Sequence, residues 1–102
     1  MTLQGFRDIL LTADSQASHY ESKKRPNYTV WSEYGDDGLS ADSIRQESAW
    51  KIQVDRYTKL EYDPVVDAIR AALDRDDISY EYSCDFEQDT GYIHHIFDCE
   101  VA

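Results

Sequence analysis

The stretch SYEYSCDFEQDTGYIHHIFDCEV, residues 79–101, decides how this chain folds. Tyr80, Tyr82, Cys84 and Phe86 fall on one side of a strand, with Ser79, Glu81, Ser83, Asp85 and Glu87 on the other. Beyond QDTG, Ile93, His95, Phe97, Cys99 and Val101 alternate with His94, Ile96, Asp98 and Glu100. Two such strands around a turn read as a hairpin. Their apolar sides must coincide, which fixes the parity of the register. A loop closed at Asp89-Thr90, or a wider one from Gln88 to Gly91, gives the same pairs: Phe86 with Ile93, Cys84 with His95, Tyr82 with Phe97 and Tyr80 with Cys99.

That register restricts the chemistry. The two cysteines stand four residues apart along the ladder, about 13 Å at strand rise. A disulfide needs Cα atoms within about 7 Å, so none is expected. His94 and His95 point to opposite faces and cannot share a metal, and Cys-x9-His-His-x3-Cys matches no common zinc pattern. Cys84 opposite His95 is the arrangement of a nucleophilic cysteine. Its neighbours, however, are aromatic or aliphatic, and burial raises a thiol's pKa and keeps it inert. No oxyanion donor, glycine-rich loop or third member accompanies the pair. The reading is therefore a core-facing strand, with no catalytic residue, metal or cofactor, in a protein that is not an enzyme.

Upstream, AWKIQVDRYTK (49–59) alternates Trp50, Ile52 and Val54 against Lys51, Gln53 and Asp55, a strand with one buried and one wet face. YTVWSEYG (28–35) is a strand by its β-branched and aromatic content, although neither of its faces is cleanly apolar. Residues 3–13, LQGFRDILLTA, place Leu3, Phe6, Ile9, Leu10 and Ala13 at helical spacing behind a Thr2 cap. A second helix opens at Asp63-Pro64, an acidic N-cap followed by proline at the first helical position. Val65, Val66, Ile69, Ala72 and Leu73 form its inward stripe. The polar stretch Ser15–Asn27 reads as a connector, and its Lys23-Lys24-Arg25 run as a solvated turn. The order α-β-loop-β-α-β-β makes an α+β fold: two layers, an antiparallel or mixed four-stranded sheet, and helices packed on one face.

Residues 35–48, GDDGLSADSIRQES, lack any sustained period and form a long connection, expected to be an interaction loop or disordered. Leu39 and Ile44 either anchor a partner or tuck onto the chain's own core. Asp36, Asp37 and Asp42 are turn formers first and interface charges second, and Arg45 either meets solvent or pairs with an adjacent subunit. Trp31 is where a contact between subunits is expected, because a large aromatic on a half-polar strand is costly to leave bare.

The whole chain is 102 residues, one domain, with 21 acidic and 10 basic residues and a formal net charge of −11. Such a surface repels phosphate, so direct binding to nucleic acid or an anionic membrane is not expected. It suits a nucleic-acid mimic, or a wall past which nucleic acid must slide. No apolar run approaches the ~18 residues of a membrane span. The start lacks a basic segment before an apolar one, and two cysteines without a secretory signal suggest free thiols in a reducing compartment. The acids from Asp74 to Asp89 follow surface positions rather than a paired site, and GDDGLSADSIRQE does not fit a calcium-binding loop.

Three pieces, YTVWSEYGDDGLSADS, IQVDRYTK running into YDPVVDAIRAAL, and DTGYIHHIFDCEV, with their order and the chain's size, resemble the tail terminator or tail-to-head joining proteins of long-tailed bacteriophages. The resemblance covers nearly the full length and contains no catalytic motif. It implies a structural virion protein at the tail neck, assembled in the host cytoplasm. Copies would form a six-subunit ring that caps the tail tube and presents a surface to the head connector. Its partners would then be itself, the tail tube protein and the head-closure protein, with DNA passing through an acidic lumen. Head-closure and adaptor proteins of the same neck are a neighbouring reading. A different class is an acidic inhibitor that mimics DNA and occupies a host nuclease, for which carboxylates should be arrayed along one face.

Overall fold

A computed structural model of the chain describes residues 1–22, 25–36 and 49–102. Two helices and five strands follow one another as α1 (Leu3–Ala13), β1 (Ser18–His19), β2 (Tyr28–Asp36), β3 (Trp50–Thr58), α2 (Pro64–Leu73), β4 (Ile78–Glu87) and β5 (Tyr92–Val101). The sheet order is β1-β2-β3-β5-β4. Every adjacent pair is antiparallel except β1 with β2, which is parallel. The class is α+β, as the pattern of elements requires.

The terminal hairpin has the expected register: Phe86 pairs with Ile93, Cys84 with His95, Tyr82 with Phe97 and Tyr80 with Cys99. Its loop is the wider alternative, closed by Glu87 opposite Tyr92, with the Gly91 N–H donating to the Glu87 carbonyl at 2.8 Å. Gly91 has φ 77°, a left-handed conformation that a side chain disfavours. β5 then carries the sheet, lying between β4 and β3.

The connector 15–27 holds something the sequence did not announce. Ser18–His19 adds a fifth strand where four were expected, running parallel to Val30–Trp31. Two residues are too short to show any alternation, so the strand leaves no periodic signal. Past it, the Tyr20 N–H donates to the Trp31 carbonyl at 2.9 Å, and Ser18 is buried with its hydroxyl donating to the Glu21 carbonyl. Lys23 and Lys24 of the basic run lie outside the described residues.

Helices and sheet share one core. Phe6 and Leu10 from α1, and Val66, Ile69 and Leu73 from α2, meet Trp31, Ile52, Val54, Phe97, Cys99 and Val101 from the sheet. The strand residues are those of one parity, so both helices cover the same face. Thr2 caps α1 by accepting the Gly5 N–H at 2.9 Å. Asp63 caps α2 by accepting the Val65 N–H at 3.0 Å, with Pro64 at the first turn.

The helix-side face of β3 is apolar only at one end. After Ile52 and Val54 come Arg56 and Thr58, both buried, a polar stretch of core that Asp63 and Thr29 also enter. Every described buried side-chain nitrogen and oxygen there has a hydrogen-bond partner.

Candidate functional site

Among the described residues the opposite face of the sheet carries no helix, and its chemistry is set by alternation. Register places Tyr28, Tyr57, His94 and Asp85 in one row, then Val30, Asp55, Ile96 and Ser83, then Ser32, Gln53, Asp98 and Glu81. At one end the aromatic groups stack. Tyr57 lies between Tyr28 at 4.9 Å and His94 at 4.1 Å, with Tyr92 edge-on to both tyrosines. His94 Nε2 is 2.7 Å from Asp55 Oδ1, and its Nδ1 is 3.8 Å from Glu87. Partial burial, helped by Asp55, Tyr28 and Glu87, pushes the Tyr57 phenol up to about 12.

The other end is acidic. Tyr34, Lys51, Ser79, Glu81, Asp98 and Glu100 line an open cleft of about 400 Å³. The Tyr34 hydroxyl donates to Asp98, which with burial and the Asp98 and Glu100 charges pushes that phenol up to about 12. This bond joins residues from β2 and β5 across the width of β3. The register between β2 and β3 shifts between Glu33 and Gly35, beside Tyr34.

The expected site residues separate into two groups. Trp31 was expected to face a neighbouring subunit. Instead it is 3 % exposed within its own chain, stacked on His19 at 3.9 Å and packed 5.6 Å from Phe6. The half-polar composition of β2 concealed this, because α1 and β1 supply the cover. Asp36 ends β2 opposite Trp50, so residues 35 and 36 belong to the strand rather than to the loop. Asp37, Leu39, Asp42, Ile44 and Arg45 lie outside the described residues.

The thiol–imidazole pair differs from its expected form. Cys84 is exposed, not buried; Cys99 is the buried thiol. Burial, with a lesser effect from Asp98, pushes Cys99 up to about 12. Both cysteines are free. His95 is turned to Tyr82, whose hydroxyl stands 2.7 Å from Nδ1. Burial lowers the pKa of His95, with Arg56, His94 and Arg70 adding to it and Asp63 opposing. The imidazole thus shares its Nδ1 hydrogen bond with a phenol rather than with a thiol. Among the described residues no group of three or more His, Cys, Asp or Glu is placed to hold a metal ion.

Neither the Tyr34–Asp98 bond nor the stacked tyrosine row leaves a periodic or spacing signal in the sequence. The available signal was tyrosine at wet-face positions 28, 57 and 92, where alternation favours charge.

No protein-family model matches the sequence, and no curated protein does. The fold does have a counterpart. A chain in the solved virion of a native gene transfer agent particle superposes with a TM-score of 0.67, covering 96 % of this chain and 87 % of that one. Identity between the two is 9 %, so what they share is the fold. No described helix is long and apolar enough to cross a membrane.

Proposed function

We propose that this protein is a structural component of a phage-type virion, a tail-completion protein whose copies close into a ring on the tail tube and join it to the head connector. The observation that carries this reading is the near full-length likeness to a chain of a gene transfer agent virion. The wet face fits the role physically. Glu81, Asp85, Asp98 and Glu100 on that face would repel DNA phosphates and let the duplex slide past without adhering. The chain acts by assembly, not by catalysis, and its partners are further copies of itself, the tube protein and the head-closure protein. Head-closure and adaptor roles in the same neck are the nearest variants.

Deleting the coding segment from its phage genome is the test. Loss of a terminator leaves heads and tails unjoined, with tails of uncontrolled length in electron micrographs. Normal particles in normal yield would contradict the proposal.

One feature favours a second reading, an acidic inhibitor that mimics DNA: the hairpin gathers carboxylates along one sheet face. That reading expects tight, salt-sensitive binding to a basic nuclease, competed by duplex DNA.

A further inference from the structure

We propose that the outer edge of β4 is a docking site for an extended segment of another polypeptide in which basic and apolar residues alternate. β4 is ten residues long, about 33 Å at strand rise, and ends the sheet. It contains no proline, lysine or arginine, and it pairs with β5 residue for residue without a bulge. Proline, basic side chains and bulges are three of the devices by which edge strands are commonly blunted; the charges β4 does carry, Glu81, Asp85 and Glu87, are all acidic. Among the described residues no strand pairs with its outer side. Alternate backbone N–H and C=O groups along it therefore stand ready to extend the ladder, the mode by which peptides add to sheets.

The side chains flanking this edge specify what would add. On the wet face stand Glu81, Asp85 and Glu87, and behind Glu81 the register places Asp98. A lysine or arginine on an added strand would extend over that row and reach the acidic cleft. On the helix-side face the strand leaves cover as it proceeds. Tyr82 is half-buried, Cys84 exposed and Phe86 58 % exposed. Apolar side chains of an added strand would fall beside these three. Basic on one face and apolar on the other is an alternation of period two.

A second copy fits this edge poorly. Wet-face residues of β4 are Ser79, Glu81, Ser83, Asp85 and Glu87, so β4 against β4 brings carboxylates opposite carboxylates or serines in either direction. Like charges directly opposite destabilise a pair, and each chain brings a formal charge of −11.

The test uses the intact chain and a ten-residue peptide of alternating lysine and valine. One control has the same composition in two blocks. A second is the alternating peptide N-methylated at two adjacent central residues, which keeps every charge and removes pairing from both of its edges. Amide hydrogen exchange across β4 is the readout. The alternating peptide is expected to slow the exchange of outward-facing β4 amides at least tenfold, with neither control doing so. Glu81→Lys with Asp85→Lys is expected to weaken its binding at least tenfold. Equal binding by the methylated peptide, or binding without protection in β4, would overturn the proposal as charge attraction alone. Protection of β4 that rises with concentration in the peptide-free chain would also overturn it, by showing a second copy on the edge.

Discussion

Arg56 and Asp63 hold the two layers together. The guanidinium Nε donates to Asp63 Oδ2 at 2.9 Å, and both residues are 6 % exposed. Asp63 uses its other oxygen to cap α2. Arg56 Nη1 also reaches Thr29 on β2 at 3.3 Å and Asp14, the C-cap of α1, at 3.4 Å. A single cation thus links two strands and the ends of both helices.

Removing both members should therefore cost less than the two single removals added together. Asp63→Ala leaves a buried guanidinium without its main partner and takes away a helix cap, an expected loss of about 3–5 kcal/mol. Asp63→Ser retains a cap, and combined with Arg56→Met it should lose clearly less than the sum of the two single changes. Urea unfolding of the parent chain, Arg56→Met, Asp63→Ser and the double variant gives the cycle directly.

Two buried groups, Asp63 and His95, contribute to the pH dependence with the same sign. Burial alone would raise the pKa of Asp63, but hydrogen bonds from Arg56, the Val65 N–H and Thr58 bring it below the usual carboxyl value. Its contribution is present above the unfolded value, about 3.9, and is lost as pH falls through the lower folded pKa. His95 is also lowered, by burial first. The unfolded chain therefore takes up its proton first, and stability declines as pH drops below about 6.5 until the folded pKa is reached. His95→Gln, which still offers Tyr82 a hydrogen-bond partner, should flatten the decline just below pH 6.5 and leave the one below pH 4.

The thiols should differ sharply in reactivity. In native protein an aromatic disulfide reagent is expected to modify one cysteine per chain, Cys84, and two in denaturant. Cys84→Ser should remove the native reaction with little effect on stability, because the residue is exposed. Modification of Cys99 in the folded chain would contradict the burial described for it.

Core and edge aromatics should separate as clearly. Phe97 is fully buried between Tyr80 and Tyr82, and Phe97→Ala should cost about 3–5 kcal/mol. Phe86→Ala should stay within about 0.5 kcal/mol, since that ring is mostly exposed. Chemical unfolding of the two variants compares them.

What could be read beforehand follows from where alternation and capping act. The hairpin register was legible because its two faces differ so strongly in polarity. Helix α2 was legible from Asp63-Pro64 and a clean apolar stripe. β1 was not, since two residues cannot show a period. Arg56 was not, since nothing local tells a buried arginine from one in solvent; its partners lie 7, 27 and 42 residues away. Trp31 was misassigned for the same reason, its cover coming from α1 and β1.

Light-scattering mass across a concentration series, with negative-stain images of the heaviest species and of chain added to purified tail tubes, tests the central claim most directly. The account predicts closed rings of about six copies, free or seated on tube ends. A monomer at every concentration that leaves tube ends bare would contradict it.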